Sequence, residues 1–209
     1  MKIIFDFDHT LFSVKQFYFA LKEAFLKLGV KEKLFQETFK KSKGKSRDYK
    51  PYRQFKLVIK LKPKISLKRL KKTFDKILKK APKFFYPDTI WFLKRWQNRA
   101  KLILLSYGEK KFQREKITTS GIEKYFKKVI ITRDIDKVKP FRMIFQDKEK
   151  TIFIEDNPTA LSEAKKIFPN VITIRINRGE GKYKREPDNP KIDFSIKNLK
   201  ELDKILNSF

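Results

Sequence analysis

"MKIIFDFDHTLF", residues 1–12, places two aspartates, Asp6 and Asp8, one residue apart at the end of an apolar run. Lys2–Phe7 reads as a strand whose apolar residues follow one another without strict alternation. That pattern suits a strand covered on both faces, in the interior of a parallel sheet. Side chains two apart on an extended chain share a face, so the two carboxyl groups point to the same side. Paired oxygen anions at a strand end are suited to a hard cation such as Mg²⁺, which takes one or two carboxylates, waters and phosphate oxygens. One carboxylate can also attack phosphorus while its neighbour passes a proton to the leaving oxygen. Short Asp-x-Asp turns are common, so this stretch needs support from the rest of the chain.

Similar apolar runs recur at "KLILLS" (101–106), "KKVIIT" (127–132), "KTIFIE" (150–155) and "NVITIRI" (170–176). Helix-like stretches separate most of them, at Asp88–Arg99, Glu109–Ser120 and Pro158–Phe168. Strands alternating with helices predict an α/β fold with a Rossmann-like, doubly wound parallel sheet. In such sheets the active site gathers at the carboxyl ends of the strands. Asp6, Ser106, Glu155 and Asp156 all fall at such ends. Trp91 and Trp96, on the helix before the Ser106 strand, read as packing residues.

Residues 13–88 break the rhythm and predict an inserted helical domain. The core is then residues 1–12 and 89–209. Phe17, Leu21, Ala24 and Leu28 repeat at helical spacing, as do Leu67, Leu70, Phe74, Ile77 and Ala81 behind Ser66 as N-cap. Between them "SKGKSRDYKP" (42–51) reads as a loop. The insert holds 24 basic and 6 acidic residues, a net +18 of the chain's +29. Near the other end "NRGEGKYKREPDNP" (177–190) is polar and rich in Gly and Pro, the composition of a long mobile loop.

Composition sets further bounds. The 209 residues include 21 Phe and are 40% hydrophobic, enough for a substantial core. The absence of cysteine excludes disulfides, thiolate catalysis and zinc–thiolate sites. No apolar stretch approaches the roughly 20 residues of a membrane span, so a cytoplasmic protein without membrane association is expected. A net +29 points to polyanionic partners. Yet 42 of the 53 basic residues are Lys, and dedicated phosphate clamps favour the forked guanidinium of Arg.

The strand-end residues together resemble the haloacid dehalogenase (HAD) superfamily of phosphohydrolases. That family's first motif, Asp-x-Asp-x-Thr after an apolar strand, reads "DFDHT" at 6–10. Its Ser or Thr ending a strand is matched by Ser106, its lysine by "DKVKP" (136–140), and its closing acidic pair by Glu155 and Asp156. The resemblance implies a Mg²⁺-dependent phosphatase, with phosphomutase as a less common outcome. Asp6 would be the nucleophile and Asp8 the general acid/base, whose backbone carbonyl also meets the metal. Asp6, Asp8, Glu155 and Asp156 would form the metal site. Ser106 would bind the phosphoryl group, with Tyr107 lining the pocket and the backbone N–H groups entering the helix from Glu109 meeting the same anion. Lys139, which precedes Pro140, is the favoured lysine, with Lys137 two residues away. Thr10 would fix the loop after the nucleophile.

Members resembling dehalogenases lack an acid two residues after the nucleophile, so Asp8 points to phosphate chemistry. The family often carries another Asp four or five residues after Asp156, where this chain has Ala160 and Leu161. An insertion at 13–88 occupies the place of the family's substrate-selecting cap. A small phosphorylated substrate is expected. The basic insert adds two alternatives: a nucleic-acid-binding protein on a disused scaffold, or a phosphatase acting on nucleic-acid ends. In either, Tyr49, Tyr52 and Phe55 are candidates to stack on bases. His9, the one histidine, reads first as a local hydrogen-bonding residue and second as a substrate contact.

Overall fold

The computed structural model describes residues 1–44, 48–135, 137–145 and 149–208. In chain order the elements are β1 (Lys2–Phe5), α1 (Val14–Lys27), α2 (Glu32–Lys43), α3 (Pro51–Leu61), α4 (Leu67–Leu78), α5 (Thr89–Trp96), β2 (Lys101–Tyr107) and α6 (Lys110–Ser120). There follow β3 (Lys128–Thr132), α7 (Val138–Arg142), β4 (Thr151–Glu155), α8 (Pro158–Ile167), β5 (Ile172–Ile176), β6 (Phe194–Ile196) and α9 (Leu199–Asn207). The described residues divide into two compact units. The first comprises Met1–Val14, Phe85–Tyr107 and Ile122–Phe209, and the second Lys15–Phe84 with Gly108–Gly121. Among the described residues no helix is long and apolar enough to cross a membrane.

The first unit is the expected Rossmann-like α/β fold. Its six strands are all parallel, in the order β3-β2-β1-β4-β5-β6. β1 is central because its four residues are buried on both faces. Ile4, Ile103 and Phe153 on one face meet Phe141 of α7 and Leu161 and Ala164 of α8. On the other face Phe5 packs edge-on against Phe92 of α5, 5.7 Å between ring centres. Trp96 packs as expected, but Trp91 is 44% exposed, with Arg95 over its ring. β6 and α9 are absent from the sequence reading, because three residues are too few to show a strand pattern. Leu199, Leu202 and Leu206 bury the inner face of α9.

The second unit is built on phenylalanine. Phe17 of α1 meets Phe74 of α4 and Phe84, while Phe25 meets Phe35 of α2 and Phe55 of α3. The Ser66 side chain caps α4 by accepting the Arg69 N–H at 3.3 Å. The unit differs from the expected 13–88 block by taking in α6, since Phe112 packs on Phe17, Tyr49 and Phe74. Of the loop expected at 42–51, residues 45–47 lie outside the described residues, Ser42 and Lys43 close α2, and Pro51 opens α3. The three aromatics expected to stack on bases are occupied in the unit's own packing. Phe55 is fully buried, and Tyr49 stacks on Phe39 with its hydroxyl on Gln54. Tyr52 donates to Glu115 under the Lys111 ammonium.

The 177–190 segment is anchored rather than loose. Arg178 donates through both terminal nitrogens to Asp88 (2.7 and 2.9 Å) and through Nε and Nη2 to the Thr10 carbonyl (3.1 and 3.0 Å). Asp88 also accepts the Leu199 N–H at the start of α9. Glu180 accepts the hydroxyls of Ser13 and Tyr86 and lies 3.6 Å from His9 Nδ1. Burial alone would raise the Glu180 pKa, but His9, Tyr86 and Ser13 overcome it and hold the carboxyl at about 2.

Two measurements check these packing arguments. Phe55→Ala removes a fully buried ring and should cost about 3–5 kcal/mol in urea unfolding of the second unit. For Glu180 the folded pKa lies below its ordinary value of 4.5, so its ionised form stabilises the fold above that value. That contribution is lost as pH falls toward 2. Glu180→Gln should therefore melt below the wild type at pH 6, with the gap closing as the pH is lowered through the carboxylate range.

Candidate active site

The sheet brings the strand ends together. Phe5 of β1 pairs with Leu104 of β2 on one side and Ile154 of β4 on the other. The next residue, Asp6, donates its N–H to the Ile154 carbonyl at 2.9 Å, so it stands level with Glu155 at the end of β4. Ser106, fully buried, is one step further along β2, and Tyr107, half-buried, ends that strand. The carboxylates of Asp6, Glu155 and Asp156 converge, with one oxygen from each lying within 4.8 Å of the others. Asp8 stands two residues beyond Asp6, half-buried. Its carboxylate is outside that group of three, though its charge is felt at Asp6.

The lysine that reaches the carboxylates is Lys137 rather than the favoured Lys139. Its ammonium is bonded to both Asp6 and Glu155, and its side chain is 3% exposed. Lys137 has a left-handed backbone (φ 58) just before α7, with its N–H on the Asp134 carbonyl and its own carbonyl accepting from Phe141. That turn sends its side chain into the sheet's carboxyl end. Lys139 sits inside α7, exposed, and among the described residues no bond joins it to the carboxylates. Asp136 of the same motif lies outside the described residues. Backbone geometry separates the two lysines, and neither their residue type nor the Lys-Pro dipeptide carries it.

The loop after Asp6 is a tight turn. Leu11 and Phe12 both donate N–H to the Phe7 carbonyl, and His9 donates to Phe12. His9 takes a positive φ of 61. Among the described residues it and Lys137 are the two non-glycine residues in the left-handed region, both at this site, where such strain often collects. The His9 ring lies over Gly181 (φ 85), where an added Cβ would come within 3.0 Å of it. Thr10 is fully buried and its carbonyl is held by Arg178, while among the described residues its hydroxyl has no hydrogen-bond partner. The turn is therefore held through Thr10's backbone.

Electrostatically the site is short of positive charge. Burial and the charge of Glu155 push the Asp6 carboxyl up, and Lys137 only partly opposes them. Asp156 is raised by burial, Glu155 and Asp6 together. Burial disfavours the charged ammonium of Lys137, but Asp6 and Glu155 hold its pKa above the ordinary lysine value. Three carboxylates face one ammonium, a deficit of two charges that a divalent cation would balance. The donor set is all oxygen, which suits Mg²⁺ rather than a soft metal.

Two placements differ from expectation or lie beyond it. The α6 N–H groups of Lys111 and Phe112 are taken by the Glu109 carboxylate, at 3.2 and 2.8 Å, and so are not left open to an anion. Tyr183, which the sequence reading did not single out, is half-buried. Burial and the charges of Asp156 and Glu155 push its phenol up to about 12, so it lies in the field of the acidic cluster.

Comparison with known proteins agrees with this geometry. No curated protein matches the chain in sequence. Among solved structures, a haloacid dehalogenase-like hydrolase from Burkholderia xenovorans superposes with a TM-score of 0.77 at 20% identity, covering 99% of this chain and 96% of its own. A HAD phosphatase from Thermococcus onnurineus gives 0.64 at 26% identity, covering 99% and 98%. L-2-haloacid dehalogenase from Xanthobacter autotrophicus with covalently bound chloropropionic acid gives 0.62 at 14%, covering 100% and 98%. The family model for haloacid dehalogenase-like hydrolases matches residues 3–174, and with its motifs gathered at the carboxyl ends of β1, β2 and β4 the chain belongs to that family of hydrolases.

Proposed function

We infer that the protein is a cytoplasmic, Mg²⁺-dependent phosphomonoester hydrolase that works through an aspartyl-phosphate on Asp6. One observation carries the reading: a single lysine ammonium bridges Asp6 and Glu155 within a buried carboxylate cluster left two charges short. Asp6, Asp156 and the backbone carbonyl of Asp8 would hold the cation, which supplies charge neutralisation for the phosphoryl oxygens.

The protein's own groups account for the proton and bond changes. An Asp6 carboxylate oxygen attacks phosphorus in line with the ester oxygen, forming the acyl-phosphate bond as the P–O bond to the leaving group breaks. Asp8 delivers its proton to the leaving alkoxide. Asp8, now ionised, takes a proton from water as that water attacks the acyl phosphate. Inorganic phosphate leaves, and Asp6 and Asp8 return to their starting states. Lys137 balances charge on Asp6 and the transferring oxygens, and the Ser106 hydroxyl donates to one of them. Asp8 also separates this reading from dehalogenation, for which no acid is needed at that position.

Phosphate release from aryl phosphate, sugar phosphates and nucleotides, with Mg²⁺ and with EDTA, tests the proposal. Metal-dependent turnover should fall by about 10³-fold or more in Asp6→Asn. Chloride release from 2-chloropropionate without metal, and no phosphate release from any ester, would overturn it. Lys137→Ala should lower kcat/KM by about 10²-fold or more, the scale of removing a charge-stabilising group. Lys139→Ala should stay within about threefold of wild type on the same scale.

A further inference from the structure

We propose that the outer face of α4 is a docking surface for duplex nucleic acid, gripping it through the phosphodiester backbone without reading bases. The stretch from Lys56 to Lys83 holds twelve basic residues and one acid, Asp75. The apolar face of α4 is consumed by the unit's core through Leu70, Phe74, Ile77 and Leu78. The opposite face carries Lys68, Lys71, Lys72, Lys76 and Lys79, all exposed, around a groove of about 430 Å³ that also includes Asp75. Among the described residues no ion pair joins any of these five lysines to an acid. Lys68, Lys72 and Lys76 follow one another at four-residue steps, a like-charge spacing that weakens a helix by a few tenths of a kcal/mol per pair. The fold tolerates that repulsion over the whole helix, which argues for an anion that relieves it.

The dimensions fit a nucleic-acid strand. Lys68 to Lys79 spans eleven residues, about 16 Å of helix axis. A duplex carries a phosphate about every 1.7 Å of its axis counting both strands, so about nine lie along that length and roughly half of them, four or five, face one side. Other polyanions fit less well. An anionic membrane needs an apolar helix face to insert, and that of α4 is already buried. An acidic peptide needs an apolar anchor pocket, and the groove is lined by lysines and one aspartate. Single strands are held by aromatic stacking, and Tyr49, Tyr52 and Phe55 are committed to packing.

The test is fluorescence anisotropy of a labelled DNA duplex of two helical turns, read in EDTA so that no turnover intervenes. Its failure would therefore leave the phosphatase reading untouched. Wild-type affinity should drop by on the order of 10²-fold between about 50 and 200 mM salt, as neutralising four or five phosphates requires. The triple variant Lys68→Glu, Lys72→Glu, Lys76→Glu should bind at least about tenfold more weakly, with a salt slope smaller by about three. The same three positions changed to Gln, with melting curves matched to wild type, should show the same direction and exclude misfolding. Lys184→Glu, Lys191→Glu, Lys200→Glu makes an equal charge change on exposed positions of the first unit and should leave the slope unchanged. Equal weakening by both Glu triples would overturn the proposal, because the binding would then follow net charge alone. Vesicles of anionic lipid or polyglutamate binding as tightly as the duplex at matched salt would also overturn it.

Discussion

The ammonium of Lys137, buried between Asp6 and Glu155, is the interaction on which the rest of the site depends. Charged groups buried so deep are costly when alone, and the pairing offsets part of that cost for carboxylate and ammonium alike. The three groups arrive from separate parts of the chain: Asp6 after β1, Glu155 at the end of β4, and Lys137 from the left-handed turn before α7. Only a parallel sheet with β1 beside β4 brings the first two into register, and only the turn at 137 brings the third. The three groups thus tie the geometry of the site to the topology. They also leave the carboxylate of Asp156 beside two others with one ammonium among the three.

The second unit solves a different problem with the same chain. Its helices bury Phe17, Phe25, Phe35, Phe55 and Phe74 on one side and carry lysines on the other. Aromatic rings bury much area per residue, so a small helical unit reaches a dense core with few positions and frees the remainder for charge. On α4 the division is sharp, because the helical period separates Leu70, Phe74 and Ile77 from Lys68, Lys72 and Lys76. A general bias toward lysine would fill the outer face of every helix. It does not account for a run of 28 residues that contains a single acid.

Much of the sheet was legible because its strands are interior: β1, β2, β4 and β5 show as apolar runs, each within two residues of the observed bounds. The carboxylates were legible because strand ends fix where the next side chain goes. Features that depend on distant or backbone-specific contacts were not. The choice between Lys137 and Lys139 turns on one left-handed residue, which a lysine does not advertise. The 177–190 segment has the composition of a free loop, but Arg178 finds Asp88 ninety positions away in sequence. Tyr49, Tyr52 and Phe55 are interleaved with basic residues, as stacking residues would be. Burial spends them on packing instead.

Glu155 shows how the site compensates for a departure from its family. One of its oxygens accepts the N–H groups of Asp156 and Asn157, at 3.1 and 3.2 Å, and the other holds Lys137. Its carboxylate is thereby committed to organising the lysine and the turn into α8. At the positions where the family often places a further aspartate, this chain has Ala160 and Leu161, both fully buried on α8. A carboxylate at Leu161 would be driven into the apolar cluster around Phe153 and Phe141 and would carry a large desolvation cost. With Glu155 engaged and no acid at 160 or 161, Asp156 is the other carboxylate from β4 and its turn that converges on Asp6. Burial and the charges of Glu155 and Asp6 raise the Asp156 carboxyl well above the ordinary range, the mark of a buried carboxylate beside like charges.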